Sequence, residues 1–281
     1  FVANYHAMTS LSDAKSLKAN TIEAAAAFLS LGIDPQRSTF WVQSDIKDVL
    51  ELYWILSQLT PMGLVERAHA YKDKVAKGLE AHHGLFSYPV LMAADILLFN
   101  ADMVPVGKDQ IQHVEIARDL ALKFNNAHGQ IFTLPQAQVA QNVATVPGTD
   151  GAKMSKSYKN TIDIFSDAKT LKKQCSSIIT DSTPLEEPKD WQNCNIYAIA
   201  KLFLNEQEQA NLQDRYSKGG EGYGHFKMYL NELTWNYFAP AREKFQYYMN
   251  NQNEIIEILN HGAKKAKKTS DEIMAKVRDA V

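Results

Sequence analysis

The stretch 88–99 reads Tyr-Pro-Val-Leu-Met-Ala-Ala-Asp-Ile-Leu-Leu-Phe. A helix of this composition is apolar on nearly every face, so it has no side to present to water and must be enclosed by other elements. With 281 residues, the chain can build that enclosure as one large domain or two ordinary ones. Asp95 lies in the middle of the stretch, where an isolated carboxylate is costly to bury without a donor. Two readings stand side by side. One is a structural aspartate satisfied by a neighbour. The other is a donor-seeking acid facing a pocket, with Met92 and Tyr88 one and two turns earlier on nearly the same face.

The segments on either side fit alternating strands and helices. Phe1–Asn4 reads as the apolar middle of a strand, and a helix is predicted over 12–31, with Ser12 as N-cap and Gly32 as its stop. The run 39–43 is a strand candidate, and a helix over 45–59 ends before Pro61. The charged segment 62–84 is expected to be a helix and then a glycine-bounded connection. Residues 103–106 form another short strand, after which Gly107-Lys108-Asp109-Gln110 opens a helix running to about residue 125. A glycine between a strand end and a helix start is where doubly wound folds place ligands, although Asp109 could equally be only a cap. From residue 166 onward helical patterns take over, at 166–179, 193–204, 206–217, 223–250 and 252–280, and a domain boundary is expected near 160.

Residues 148–158, Gly-Thr-Asp-Gly-Ala-Lys-Met-Ser-Lys-Ser-Tyr, hold Lys153 and Lys156 among small hydroxyl residues, with Gly148 and Gly151 upstream. Glycines permit a tight turn. The lysines offer flexible point charges suited to polyphosphate, and Ser155 and Ser157 add hydroxyl donors. Other signals have plainer readings. Residues 219–224, rich in glycine, follow no apolar strand and are expected to be a turn. His82, His83 and His113 are expected to be ordinary surface or helix-face histidines, with no metal-ligand set. The run Lys264, Lys265, Lys267 and Lys268 is expected to be a solvated face, with RNA phosphate contact the minor alternative.

A net charge of −2 means that any affinity for nucleic acid comes from local basic patches rather than a global field. Cys175 and Cys194 have neither metal-ligand spacing nor a disulfide framework, which points to a reducing, cytoplasmic setting. No apolar run approaches the roughly 20 residues of a membrane span, and no signal peptide is expected.

The string Lys-Met-Ser-Lys-Ser at 153–157 matches the phosphate loop of class I aminoacyl-tRNA synthetases. With it, the chain resembles the tryptophanyl-tRNA synthetases of bacterial type. The matching runs are spread over the whole chain: His6-Ala7-Met8-Thr9, Gly32-Ile33-Asp34-Pro35, Glu66-Arg67 with Lys72-Asp73-Lys74, Tyr88-Pro89, residues 91–98, residues 104–110 and Gly222-Tyr223-Gly224. The Met-Ala-Ala-Asp run separates it from the related tyrosyl enzymes. The resemblance implies a Rossmann-like α/β catalytic domain over 1–160, ending in the lysine loop, and an all-α domain over 161–281 that binds the tRNA anticodon. It also implies a cytoplasmic homodimer that uses ATP with Mg²⁺ to join L-tryptophan to tRNA(Trp).

Carried over position by position, the resemblance implies that Asp95 accepts the indole N–H and that Met92 and Ile96 pack against the ring. Tyr88 and Gln110 hold the amino-acid backbone, with His6 nearby. Lys74, Lys153 and Lys156 are the catalytic cations. Gly107 and Asp109 line the ATP site together with Lys153, Met154, Ser155, Lys156 and Ser157; no residue is implied as a metal ligand. Two departures stand out. Lys159 occupies the place of a more usual glycine or other small or acidic residue. The family's first strand and its His-Ile-Gly-His-type loop precede the run that matches Phe1, so they are expected upstream of it, and residues 1–281 alone are expected to be poorly stable and inactive in pyrophosphate exchange. The alternative is a non-catalytic synthetase-like fragment or paralogue that binds tryptophan, tRNA or a protein.

Overall fold

A computed structural model describes residues 1–11, 13–66, 82–139 and 145–281. It divides into two compact units, Phe1–Asn142 with Tyr248–Val281, and Val143–Tyr247. The sequence division at 160 does not coincide with these units. The lysine loop falls in the second unit, and the last helix belongs to the first.

In the first unit the apolar stretch forms helix α5 (His83–Leu97), preceded by α1 (Asn4–Ala7), α2 (Ala14–Ser30), α3 (Asp48–Gln58) and α4 (Met62–Glu66). Helix α5 begins five residues before the apolar run, because the His82 ring accepts the Leu85 N–H at 3.1 Å and caps the helix. Pro89 is accommodated inside it. Helix α3 lies on one side of α5 and α6 (Ile111–His128) on another, and Leu52, Leu56, Ala93, Leu97, Ala117, Leu120 and Phe124 are fully enclosed between them. The enclosure required by the sequence is therefore supplied mainly by helices.

Helix α2 is capped by Asp13, whose carboxylate accepts the Ser16 N–H at 2.8 Å; the expected cap, Ser12, lies outside the described residues. Ala25 and Leu29 are buried within the helix, and Gly32 ends it at φ +111°. Strand β1 (Met103–Pro105) pairs in parallel with β2 (Gln136–Gln138), Val104 opposite Ala137. The expected strand at 39–43 is reduced to one parallel bridge, Val42 with Val2, because the chain turns into a 3₁₀ segment at Gln43–Asp45 and pairing stops. The connection expected over 67–81 lies outside the described residues.

Helix α12 (Gln252–Ala280) completes this unit. Its buried residues Ile255, Leu259, Gly262, Ala266, Ser270, Ile273 and Val277 recur at three- and four-residue spacing, which makes one stripe that packs on α2 and α3.

The second unit contains the lysine loop and α7 (Ala168–Ser176), α8 (Asn195–Ala200), α9 (Glu206–Lys218) and α10 (Tyr223–Tyr237), with most of α11 (Ala239–Asn250). Leu171, Cys175, Ile178, Ile196, Tyr216, Phe226 and Leu230 form its core. Asn205 and Glu208 close a capping box at the start of α9. The single helix expected over 223–250 is two helices separated at Phe238; Pro240 lacks the N–H that a continuous helix needs there. Both cysteines are free and buried. Among the described residues, no helix is long and apolar enough to cross a membrane.

Candidate active site

In the first unit, Asp95 sits on α5 with 6% of its surface exposed, and its Oδ2 accepts a hydrogen bond from Gln43 Nε2 at 2.7 Å. Gln43 reaches this point because the chain turns out of the Val2–Val42 bridge into the 3₁₀ segment. The same Nε2 is 3.0 Å from His6 Nδ1, and the backbone N–H of Tyr5 donates to Gln43 Oε1 at 3.0 Å. His6 presents its ring edge to Tyr88 at 6.1 Å between centroids. Tyr88 Oη in turn lies 2.8 Å from His113 Nε2 on α6.

Burial sets the electrostatics here. It pushes the Asp95 carboxyl up to about 7 against the opposing effect of the Gln43 hydrogen bond. Burial also lowers the His6 imidazole below its usual value and pushes the Tyr88 phenol up to about 12. The result is an acid poised near neutrality beside an imidazole held in its neutral form. Ile96 is buried in the core beside Asp95, and Met92 is half-buried one turn earlier. An apolar wall with one acceptor suits a flat apolar group carrying a single N–H donor.

His6, Tyr88 and Asp95 are thus brought together. Gln110 closes a 3₁₀ turn at Lys108–Gln110, and its amide donates to Asp109 Oδ2 at 2.9 Å. The Asp109 carboxylate also crowds Gly107, where an added Cβ would lie 2.7 Å from its Oδ1. Lys74 lies outside the described residues.

In the second unit, Lys153 forms an antiparallel bridge with Pro147, and Met154 N–H donates to Val146 O at 2.9 Å. Gly151 takes φ +79° at the turn between them. Asn160, 2% exposed, holds the loop. Its Oδ1 accepts Ser155 N–H at 2.7 Å, while its Nδ2 donates to Asp150 Oδ1 at 2.7 Å and Lys153 O at 3.1 Å. Lys156 and Ser157 open a 3₁₀ turn, and both Lys153 and Lys156 are exposed. Lys159 takes φ +54°, the left-handed region that glycine enters freely, which explains why a glycine was the more usual expectation there.

Three residues of these clusters escaped the sequence reading. Gln43 carried only a weak signal, a polar residue directly after the short apolar run Phe40-Trp41-Val42. His113 is the helix-face alternative of its expected readings, on the buried side of α6, 2% exposed and bonded to Tyr88. Its signal was its position among the apolar residues of α6. Asn160 had no signal beyond its place after the lysine string.

Comparison with known proteins agrees with the motifs. The family model for class I tRNA synthetases (W and Y) matches residues 1–239. The tryptophan–tRNA ligase of Campylobacter jejuni is 69% identical over 281 residues, covering 100% of this chain and 88% of that protein. The ligase of Fusobacterium nucleatum is 49% identical over 282 residues, covering 100% of this chain and 86% of its own length. The crystal structure of the Campylobacter jejuni tryptophanyl-tRNA synthetase complexed with ADP and tryptophan superposes with a TM-score of 0.95 at 70% identity, covering 99% of this chain and 88% of that one. The Mycoplasma pneumoniae synthetase superposes at 0.82 with 26% identity, covering 100% and 86%. The expected α/β class with a helical C-terminal part holds. The chain belongs to the class I tRNA synthetases of the tryptophan and tyrosine group.

Proposed function

We propose that this chain is a tryptophan–tRNA ligase, which activates L-tryptophan with ATP and transfers it to tRNA(Trp). The observation that carries the choice of amino acid is Asp95, a buried carboxylate on an apolar helix with one oxygen tied to Gln43. Indole has one N–H donor on an otherwise apolar ring, and a buried acceptor rewards that donor more than it rewards a ring lacking it.

In the first step the tryptophan carboxylate attacks the α-phosphorus of ATP. An O–P bond forms, the bond to the β-phosphate oxygen breaks, and pyrophosphate leaves. In the second, a terminal ribose hydroxyl of the tRNA attacks the acyl carbon and AMP leaves. The protein positions the reactants and stabilises phosphate charge. Asp95 accepts the indole N–H, Met92 and Ile96 pack on the ring, and Tyr88, Gln110 and His6 serve the amino-acid backbone end. Gly107 and Asp109 line the nucleotide site. Lys153, Met154, Ser155, Lys156 and Ser157 act as the phosphate loop, with Lys74 as a third cation.

Mg²⁺ enters with the triphosphate as part of the nucleotide substrate, and no step is assigned to a protein-held metal. The division of labour is 1–160 for activation and 161–281 for the anticodon, a functional division that differs from the two compact units in the place of the lysine loop and of the last helix. The working form is a cytoplasmic homodimer.

Comparing tryptophan with its benzothiophene analogue, which has sulfur in place of the N–H, tests the reading. The unaltered protein should prefer tryptophan by about ten- to a hundred-fold, and Asp95→Ala should erase the preference. Equal affinities in the unaltered protein would return Asp95 to a structural role.

A further inference from the structure

Gln43 is 2% exposed, and both ends of its amide are engaged. The Tyr5 backbone N–H can only donate, so the atom 3.0 Å from it must be the amide oxygen. That orients Nε2 toward Asp95 Oδ2 at 2.7 Å and His6 Nδ1 at 3.0 Å, and its two hydrogens supply one to each. His6 Nδ1 is then an acceptor, which puts the imidazole proton on Nε2. Among the described residues His6 Nε2 has no hydrogen-bond partner although it is buried.

His6 Nδ1 and Asp95 Oδ2 are only 3.6 Å apart. With no donor between them, a protonated imidazole could pair directly with the carboxylate and neutralise it. The amide of Gln43 binds both atoms at once, which removes that option. Because Gln43 takes Oδ2, Asp95 keeps Oδ1 for a ligand.

We infer that Gln43 is a positioning residue for amino-acid recognition: clamped by the Tyr5 N–H, its amide holds Asp95 as a carboxylate acceptor and fixes His6 as the neutral Nε2–H form. This rests on the reading that Asp95 accepts the substrate N–H. The titratable groups around Asp95 are His6 from α1 and Tyr88 on the same helix. Burial raises the Asp95 pKa to about 7, so the Gln43 donor acts where ionisation is most easily lost.

The test is tryptophan affinity as a function of pH for the full chain, Gln43→Met, Gln43→Leu and Asp95→Ala. The unaltered protein should bind more weakly as pH falls through about 7. The Gln43 variants should bind about five-fold more weakly at pH 7, as follows when a carboxyl pKa of about 7 rises by about one unit, and recover at higher pH. A folded Gln43 variant with unchanged affinity and pH profile would overturn the inference, and so would a loss that is uniform across pH. If Asp95→Ala binds tryptophan normally, the reading of Asp95 itself fails, which is a separate outcome. Ring ¹⁵N shifts of His6 in the unaltered protein give a second measurement that does not depend on the variants folding. The Nε2–H form is expected, and an Nδ1–H form would overturn the inference.

Discussion

Gly148 and Asn160 occupy space that only glycine allows: a Cβ at 148 would lie 2.3 Å from Asn160 Nδ2 and 2.8 Å from Asn160 O. The same asparagine accepts the Thr149 N–H on its backbone oxygen at 2.9 Å and fixes Ser155 and Lys153 through its side chain. The two ends of the lysine loop are thus joined through one buried amide, while the lysines themselves stay exposed. A fixed base with mobile charged tips suits a loop that meets developing phosphate charge.

Asn160→Ala should therefore loosen the loop and leave the Ser155 N–H without its partner. A buried group left unsatisfied costs about 1–3 kcal/mol. Gly148→Ala should act in the same direction through the steric clash. Thermal unfolding and tryptophan-dependent pyrophosphate exchange would both decline. Unchanged values for both variants would show that the junction has no bearing on the loop.

Lys153→Ala and Lys156→Ala should slow adenylate formation by about 10²–10³ while tryptophan affinity stays as it was. The motivating observation is that both ammonium groups sit exposed on a loop whose backbone is held from below. An interaction made in the transition state lowers the chemical step rather than ground-state binding. Single-turnover rates set beside tryptophan dissociation constants separate the two. A loss confined to tryptophan affinity would assign the lysines to another task.

The sequence was legible where one residue broke a strong pattern. Asp95 in an apolar helix is such a case, and the lysine string is another. Gln43 broke a pattern too, but its run was only a few residues long and read as strand, so its burial could not be inferred. Partners distant in sequence were beyond reach: Asn160 matters because of Gly148, and His113 because of Tyr88, 25 residues away. The final helix illustrates the same limit. Its helical pattern was evident, but a helical pattern does not say which core receives the helix, and α12 belongs with the first 142 residues rather than with the helices before it.

Part of that docking is ionic. Asp48 on α3 accepts from Ser270 Oγ at 2.7 Å, Lys267 Nζ at 3.0 Å and Arg278 Nη2 at 2.9 Å, all on α12. Burial acts to raise the Asp48 pKa, but these donors outweigh it and hold the carboxyl below its ordinary value. A depressed native pKa contributes stability above the unfolded value of about 4 and loses it as pH falls through the native one. Lys267 and Arg278 are each nearly half exposed, so solvent screens their share, and the enclosed Ser270 bond carries more. Asp48→Ala should cost about 1.5–3 kcal/mol at pH 7, with the difference from the unaltered protein shrinking in acid below about pH 4. Denaturant unfolding at both pH values checks this, and a difference independent of pH would exclude the ionised carboxylate as its source.

The last prediction sets two glycines against each other. A Cβ on Gly262 of α12 would lie 1.8 Å from the carbonyl oxygen of Phe40 and 2.5 Å from its carbon. The Phe40 backbone cannot easily retreat, because two residues later Val42 bridges Val2 and Gln43 N–H donates to Val2 O at 3.0 Å. Gly224 in α10 has nothing within 4 Å of the added atom. Alanine is favoured over glycine in a helix by about 1 kcal/mol, so Gly224→Ala should be neutral or stabilising. At 262 the same propensity gain is overwhelmed, since forcing an extra methyl into a closed contact costs about 1–3 kcal/mol and here meets backbone rather than a flexible side chain. Gly262→Ala should unfold at lower temperature. Because Phe40 lies three residues before Gln43, it should also weaken tryptophan binding, although no atom of residue 262 is assigned to the substrate. Thermal unfolding of both variants, with tryptophan titration of the folded Gly262→Ala protein, provides the comparison. If Gly262→Ala were as stable as Gly224→Ala, the close approach of α12 to the segment carrying Gln43 would be refuted. Lower stability with unaltered tryptophan affinity would confine the effect to packing.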